Sequence, residues 1–184
     1  RPMGKRAKPP GHRVYLLEAA IRFVDAARQL RGVQRISLLG SITTERPAPK
    51  DVDLLVVMTD DTDVAALANH ARRLQGAAQQ VNLGADVFLA DDRGNYLGRT
   101  CPWKNCRPGV RVACDALHCG QRPHLHDDLD TVRLSAETVQ SPPITLWPGL
   151  VRRCVVPEDV ETILGQFQTP SNNALEPTAR VSSS

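Results

Sequence analysis

The chain has 184 residues, a length that fits one domain of ordinary size. Apolar residues make up 41% and charged residues 23%, the usage of a folded globular protein, which excludes collagenous, wholly disordered and solenoid architectures. A net charge of +3 and an aromatic content of 4% are too small for a protein that wraps nucleic acid or stacks on its bases, so nucleic acid is not the favoured partner.

Arg1, Lys5, Arg6, Lys8 and Arg13 all precede the first acid, Glu18, and read as a solvated basic arm. No apolar run reaches the ~18 residues of a membrane span, and the N-terminal segment lacks the apolar stretch of a signal peptide, so a cytoplasmic protein with no membrane partner is expected. Five cysteines, an odd number, favour reduced thiols or a metal site over a disulfide framework.

Residues 1–12 carry Pro, Gly and charge without periodicity and are expected to be disordered. From Arg13 to Arg31 the apolar residues recur at helical spacing around Leu17, Ile21 and Val24, and Gly32 supplies a stop. Arg35–Ser41 is short, branched and apolar, a buried strand ending in a Gly-Ser turn. After a polar loop with two prolines, Asp51–Met58 reads as a second strand, alternating at its start and continuously apolar at its end. Asp60 or Asp61 then caps a helix running to about Gln75, with Gly76 ending it, and Ala85–Ala90 is a third strand before the turn-rich DDRGN. Further strands are expected at Arg111–Leu117, Arg133–Val139 and Ile144–Trp147, a short helix at Glu158–Phe167, and a polar disordered tail.

The chemistry concentrates in LLGSITTERPAPKDVDLLVV. Asp51 and Asp53, at i and i+2 on a strand, point to one face ~6.5–7 Å apart along the backbone, a geometry that converges on a cation. A divalent ion relieves the repulsion between such carboxylates and supplies Lewis acidity. Gly40 permits close backbone approach, Ser41 adds a hydroxyl suited to a phosphate oxygen, and Asp86 opens the third strand as a further acid. Arg46 and Lys50 lie on the intervening loop, within reach of phosphates. Arg72 and Arg73 fall off the buried stripe of their helix and read as a solvated face.

Gly40-Ser41, nine intervening residues and then Asp51-Val52-Asp53 resemble the hG[GS]…Dh[DE]h signature of the polymerase-β-like nucleotidyltransferase superfamily, with Asp86 in ADVFL resembling its third carboxylate. The likeness spans about residues 13–91 and is nearest to the minimal nucleotidyltransferases. It implies an α+β fold, a mixed β-sheet with helices packed on it, and two Mg²⁺ (or Mn²⁺) ions on Asp51, Asp53 and Asp86. It also implies a nucleoside triphosphate, ATP first among candidates, held at Gly40 and Ser41; Lys50 is added as a nucleotide contact from its place on the loop, where its other reading is a cation that merely solvates the loop. The activity implied is transfer of a nucleoside monophosphate to a hydroxyl on a protein, an RNA end or a small molecule. The alternative is a catalytically weak or inactive member of the same fold that acts as the antitoxin-like partner of a toxin-like protein.

Cys101, Cys106, Cys114 and Cys119 lie close together with His118, His124 and His126 nearby, a concentration that suits Zn²⁺. The C-x2-C knuckles of zinc modules are missing, so reduced thiols in a strand and loops are the favoured reading over a zinc site, and Cys154 reads as an ordinary small apolar residue. Arg99, Lys104, Arg107 and Arg111 in the same segment form a candidate basic wall facing a nucleotide or an RNA end. The expected organisation is a basic arm over 1–12, a nucleotidyltransferase core over 13–98, an irregular Cys/His-containing β extension of the same domain over 99–168, and a disordered tail over 169–184.

Overall fold

The computed structural model describes residues 11–104, 122–126 and 133–168. Its elements run α1 (His12–Ala27), β1 (Val33–Leu39), a 3-10 turn (Ser41–Thr43), β2 (Asp51–Met58), α2 (Val64–Gln79), β3 (Gly84–Asp91), β4 (Tyr96–Thr100), β5 (Leu125–His126), α3 (Ala136–Gln140), β6 (Ile144–Trp147), β7 (Val151–Arg152) and α4 (Glu158–Gln168). The seven strands form one mixed sheet in the order β5-β4-β3-β2-β1-β6-β7. Among the described residues only β2 and β3 are parallel; α2 carries the chain between them, as a parallel pair requires.

The alternation of side chains along the central strands separates two faces. Val52, Leu54, Val56 and Met58 of β2 pack with Val87 and Leu89 of β3 under α1, α2 and α4, where Leu16, Leu67 and Leu164 are fully buried. Each such side chain contributes about 1.5–3 kcal/mol, so this layer holds the domain together. The opposite face carries a smaller cluster, Leu39, Leu55, Val57, Phe88, Ala90 and Val139, with Tyr96 and Leu134 against it. In register with Leu55 and Val57, Asp51 and Asp53 belong to this second face.

Several boundaries differ from the sequence expectation for identifiable reasons. Helix α1 stops at Ala27, short of the expected Arg31. Asp63, rather than Asp60 or Asp61, caps α2, its side chain accepting from the Ala66 amide. The helix continues through Gly76 to Gln79 because Ala78 is fully buried, and that burial outweighs the glycine's cost of about 1 kcal/mol. The strand expected over 133–139 is not one: residues 136–140 form α3, capped by the Ser135 hydroxyl on the Thr138 amide. Arg13, expected in a solvated arm, is instead a buried residue of α1. The strand expected at 111–117 lies outside the described residues, as do both terminal segments expected to be disordered, apart from Gly11 and His12. Among the described residues no helix is long and apolar enough to cross a membrane.

Candidate functional site

In the parallel β2–β3 pair Asp53 stands directly opposite Asp86, and Asp51 opposite Gly84. Register partners in a sheet share a face, so Asp51, Asp53 and Asp86 emerge together at the N-terminal ends of the two strands. In the antiparallel pairing with β1, Asp53 faces Leu39, which brings Gly40 and Ser41 alongside it.

Two glycines make room for the carboxylates. Gly40 has φ 75° and ψ −162°, a conformation that residues with a side chain rarely adopt. A Cβ there would lie 2.5 Å from Asp53 Oδ2. A Cβ on Gly84 would lie 2.2 Å from Asp51 Oδ1. The backbone after Gly40 is then fixed by a tight turn: the Gly40 carbonyl accepts from the Thr43 amide and hydroxyl, and the Ser41 carbonyl from those of Thr44. Ser41 itself is half-buried at the start of that turn.

The electrostatics follow from this crowding. Burial, together with the charges of Asp86 and Asp51, pushes the Asp53 carboxyl up to about 6, while Arg99 acts in the other direction. Arg99, on β4, donates from Nη1 to Asp86 Oδ1 at 3.3 Å, and both side chains remain partly open to solvent. Among the described residues the site therefore concentrates negative charge that the Arg99 guanidinium offsets only in part. Among the described residues no group of three His, Cys, Asp or Glu side chains is gathered closely enough to hold a metal ion as they stand. The donor set itself is three hard carboxylates whose repulsion a cation relieves, which is the chemistry that Mg²⁺ or Mn²⁺ prefers.

Lys50 is exposed immediately before β2, and its carbonyl accepts from the Gly84 amide at 2.8 Å, tying the loop to β3. Arg46 is exposed on the same loop. That loop is held from behind by Arg13, which donates from Nη2 to the Arg46 carbonyl and from Nη1 to Asp159 of α4 at 3.0 Å. Arg72, expected on a solvated face, instead donates to the Cys101 and Trp103 carbonyls at 3.1 Å each and ties down the chain after β4. Arg73 is exposed, as expected.

Of the cysteine segment, Cys101 is buried, while Cys106, Cys114 and Cys119 lie outside the described residues, as do His118, Arg107 and Arg111. Cys154 is a free thiol at the surface rather than a packed apolar residue. Lys104 is exposed, and His126 stands in register with Arg99. Charge spacing pointed to Arg99 as part of a basic wall; its contact with Asp86 depends on β4, a strand absent from the sequence expectation.

Fold and site together define a mixed α+β domain with a carboxylate cluster at the mouth of two parallel strands, beside a glycine-led turn. The chain belongs to a family of unknown function, DUF6932, whose model matches residues 3–106, more than half of its length. No curated protein and no solved structure matches it.

Proposed function

We propose that this protein is a metal-dependent nucleotidyltransferase that moves a nucleoside monophosphate from a nucleoside triphosphate, ATP first among candidates, to a hydroxyl acceptor. The observation that carries the reading is the in-register placement of Asp53 and Asp86, with Asp51 on the same face and Gly40-Ser41 beside them. Asp51, Asp53 and Asp86 would hold Mg²⁺ or Mn²⁺, which when bound supplies Lewis acidity to the phosphates and to the acceptor hydroxyl. Gly40 lets a phosphate approach the backbone closely, Ser41 offers it a hydroxyl donor, and Lys50 contributes a positive charge at the rim. Asp86, the third carboxylate, would take the acceptor's proton. The acceptor oxygen then bonds to the α-phosphorus, the bond to the bridging oxygen breaks, and pyrophosphate leaves in line.

The second reading is a binding protein of the same fold that partners a toxin-like protein. It draws on the ion pair that engages Asp86 with Arg99. Incubation with each α-labelled nucleoside triphosphate, Mg²⁺ or Mn²⁺ and a cell lysate separates the two. The enzyme reading expects label on an acceptor with the wild-type chain and none with the Asp51→Asn, Asp53→Asn double variant. Equal labelling by both chains, or none by either, counts against it.

A further inference from the structure

The ion pair between Arg99 and Asp86 joins a cation to one of the carboxylates that the proposed reaction needs. Three facts give it direction. Arg99 stands in register with Phe88, two residues along β3 from Asp86, so its side chain reaches back along the carboxylate face of the sheet. The same guanidinium that pairs with Asp86 also offsets part of the charge on Asp53 across the strand pair. Both members of the pair are partly solvated, with side-chain exposures of 30% and 41%, so the contact at 3.3 Å is open to exchange with ligands from solvent rather than sealed in the core.

A divalent cation on Asp53 and Asp86 competes with that contact, because both cations draw on the same carboxylate oxygens and repel one another. An arginine released there lies beside the carboxylates, where the phosphates of a bound nucleotide would sit, and its planar fork suits phosphate oxygens. Resting on the nucleotidyltransferase reading, we infer that Arg99 is an exchangeable counter-ion: it holds Asp86 while the site is empty and moves to a nucleotide phosphate when the carboxylates take a divalent cation. Arg99 is then a positioning residue that couples cation loading to nucleotide loading, and each ligand raises the affinity for the other.

Mn²⁺ binding to the full chain, followed by electron paramagnetic resonance without nucleotide, tests this directly. Arg99→Gln removes the competing charge, so Mn²⁺ binds about fivefold or more tightly than to wild type. Fluorescently tagged ATP in saturating Mg²⁺ binds the same variant about tenfold more weakly, because a charge-assisted contact to phosphate is lost. Arg99→Lys keeps the charge and loses the fork; it leaves Mn²⁺ affinity near wild type while nucleotide binding still weakens, and it carries the test should the glutamine variant not fold. Unchanged or weaker Mn²⁺ binding in a folded Arg99→Gln chain overturns the inference and leaves the carboxylate site standing. Wild-type Mn²⁺ binding that Asp53→Asn does not diminish, or no Mn²⁺ binding at all, overturns the nucleotidyltransferase reading itself.

Discussion

Asp53→Asn should stabilise the cation-free protein at neutral pH, an unusual outcome for a strand residue at the centre of a sheet. The native environment raises the Asp53 carboxyl from 3.8 to about 6, through burial first and then through Asp86 and Asp51. At about 1.4 kcal/mol per tenfold change in proton affinity, ionised Asp53 costs the fold about 3 kcal/mol, which the remaining solvent contact reduces to about 1–2 kcal/mol. The native carboxyl holds its proton more tightly than the unfolded one. Its contribution to stability is therefore fully present below pH 3.8 and is lost as pH rises through about 6. Urea unfolding of both chains in chelator should show near-equal stability at about pH 3.5 and a gap opening in favour of the variant between about pH 4 and 6, level above about pH 7. Excess Mg²⁺ should then reverse the order at pH 8, adding about 2.7 kcal/mol to wild type at a hundredfold excess over its dissociation constant and little to the variant. A variant less stable than wild type at pH 8 in chelator, or a gap that does not change with pH, would refute the reasoning.

Three further outcomes rest on other parts of the site. Gly40→Ala places a methyl 2.5 Å from Asp53 Oδ2 at a positive φ, so thermal unfolding should show a loss of about 1–3 kcal/mol along with loss of nucleotide transfer. Gly84→Ala meets only the end of the exposed Asp51 side chain; stability should change by less than about 1 kcal/mol while Mn²⁺ affinity falls, and a large loss of stability would show that the backbone at Gly84 is constrained for another reason. Arg13→Met leaves the Arg46 carbonyl without this donor and removes the link to the solvent-exposed Asp159, and should cost about 1–2 kcal/mol by urea unfolding, whereas a neutral result would remove Arg13 as the anchor of the β1–β2 loop.

The parts of the fold and candidate site that sequence made legible are those where one short-range signal suffices. Strand β2 was expected at Asp51–Met58 and is found there, because its two acids mark the open end and the apolar run marks burial. Strand β6 and helix α4 likewise follow local alternation, helical spacing and a preceding proline. Asp51, Asp53 and Asp86 share a face because period-2 alternation fixes the first two, although only pairing in the folded sheet sets Asp86 opposite Asp53.

The misses arise where distant packing overrides a local cue. Gly76 reads as a stop, yet the core claims Ala78 beyond it. Arg13 reads as part of a basic run, yet Asp159, 146 residues away in sequence, draws it inside. For α3 the cue is local: Ser135 is a residue type favoured at helix N-caps, but the surrounding Val and Leu suggest a strand. Strand β4 has only Tyr96, Leu97 and Thr100 as strand formers around a glycine, and the contact between Arg99 and Asp86 depends on its pairing with β3.

Crystals of the full chain grown with Mn²⁺ and a non-hydrolysable nucleoside triphosphate test the central claim most directly, through the anomalous scattering of manganese. The account predicts manganese coordinated by Asp53 and Asp86, with the triphosphate beside Gly40 and Ser41 and Arg99 turned from Asp86 to a phosphate oxygen. Manganese and nucleotide bound away from these carboxylates, or a carboxylate cluster left empty at saturating concentrations of both, would contradict it.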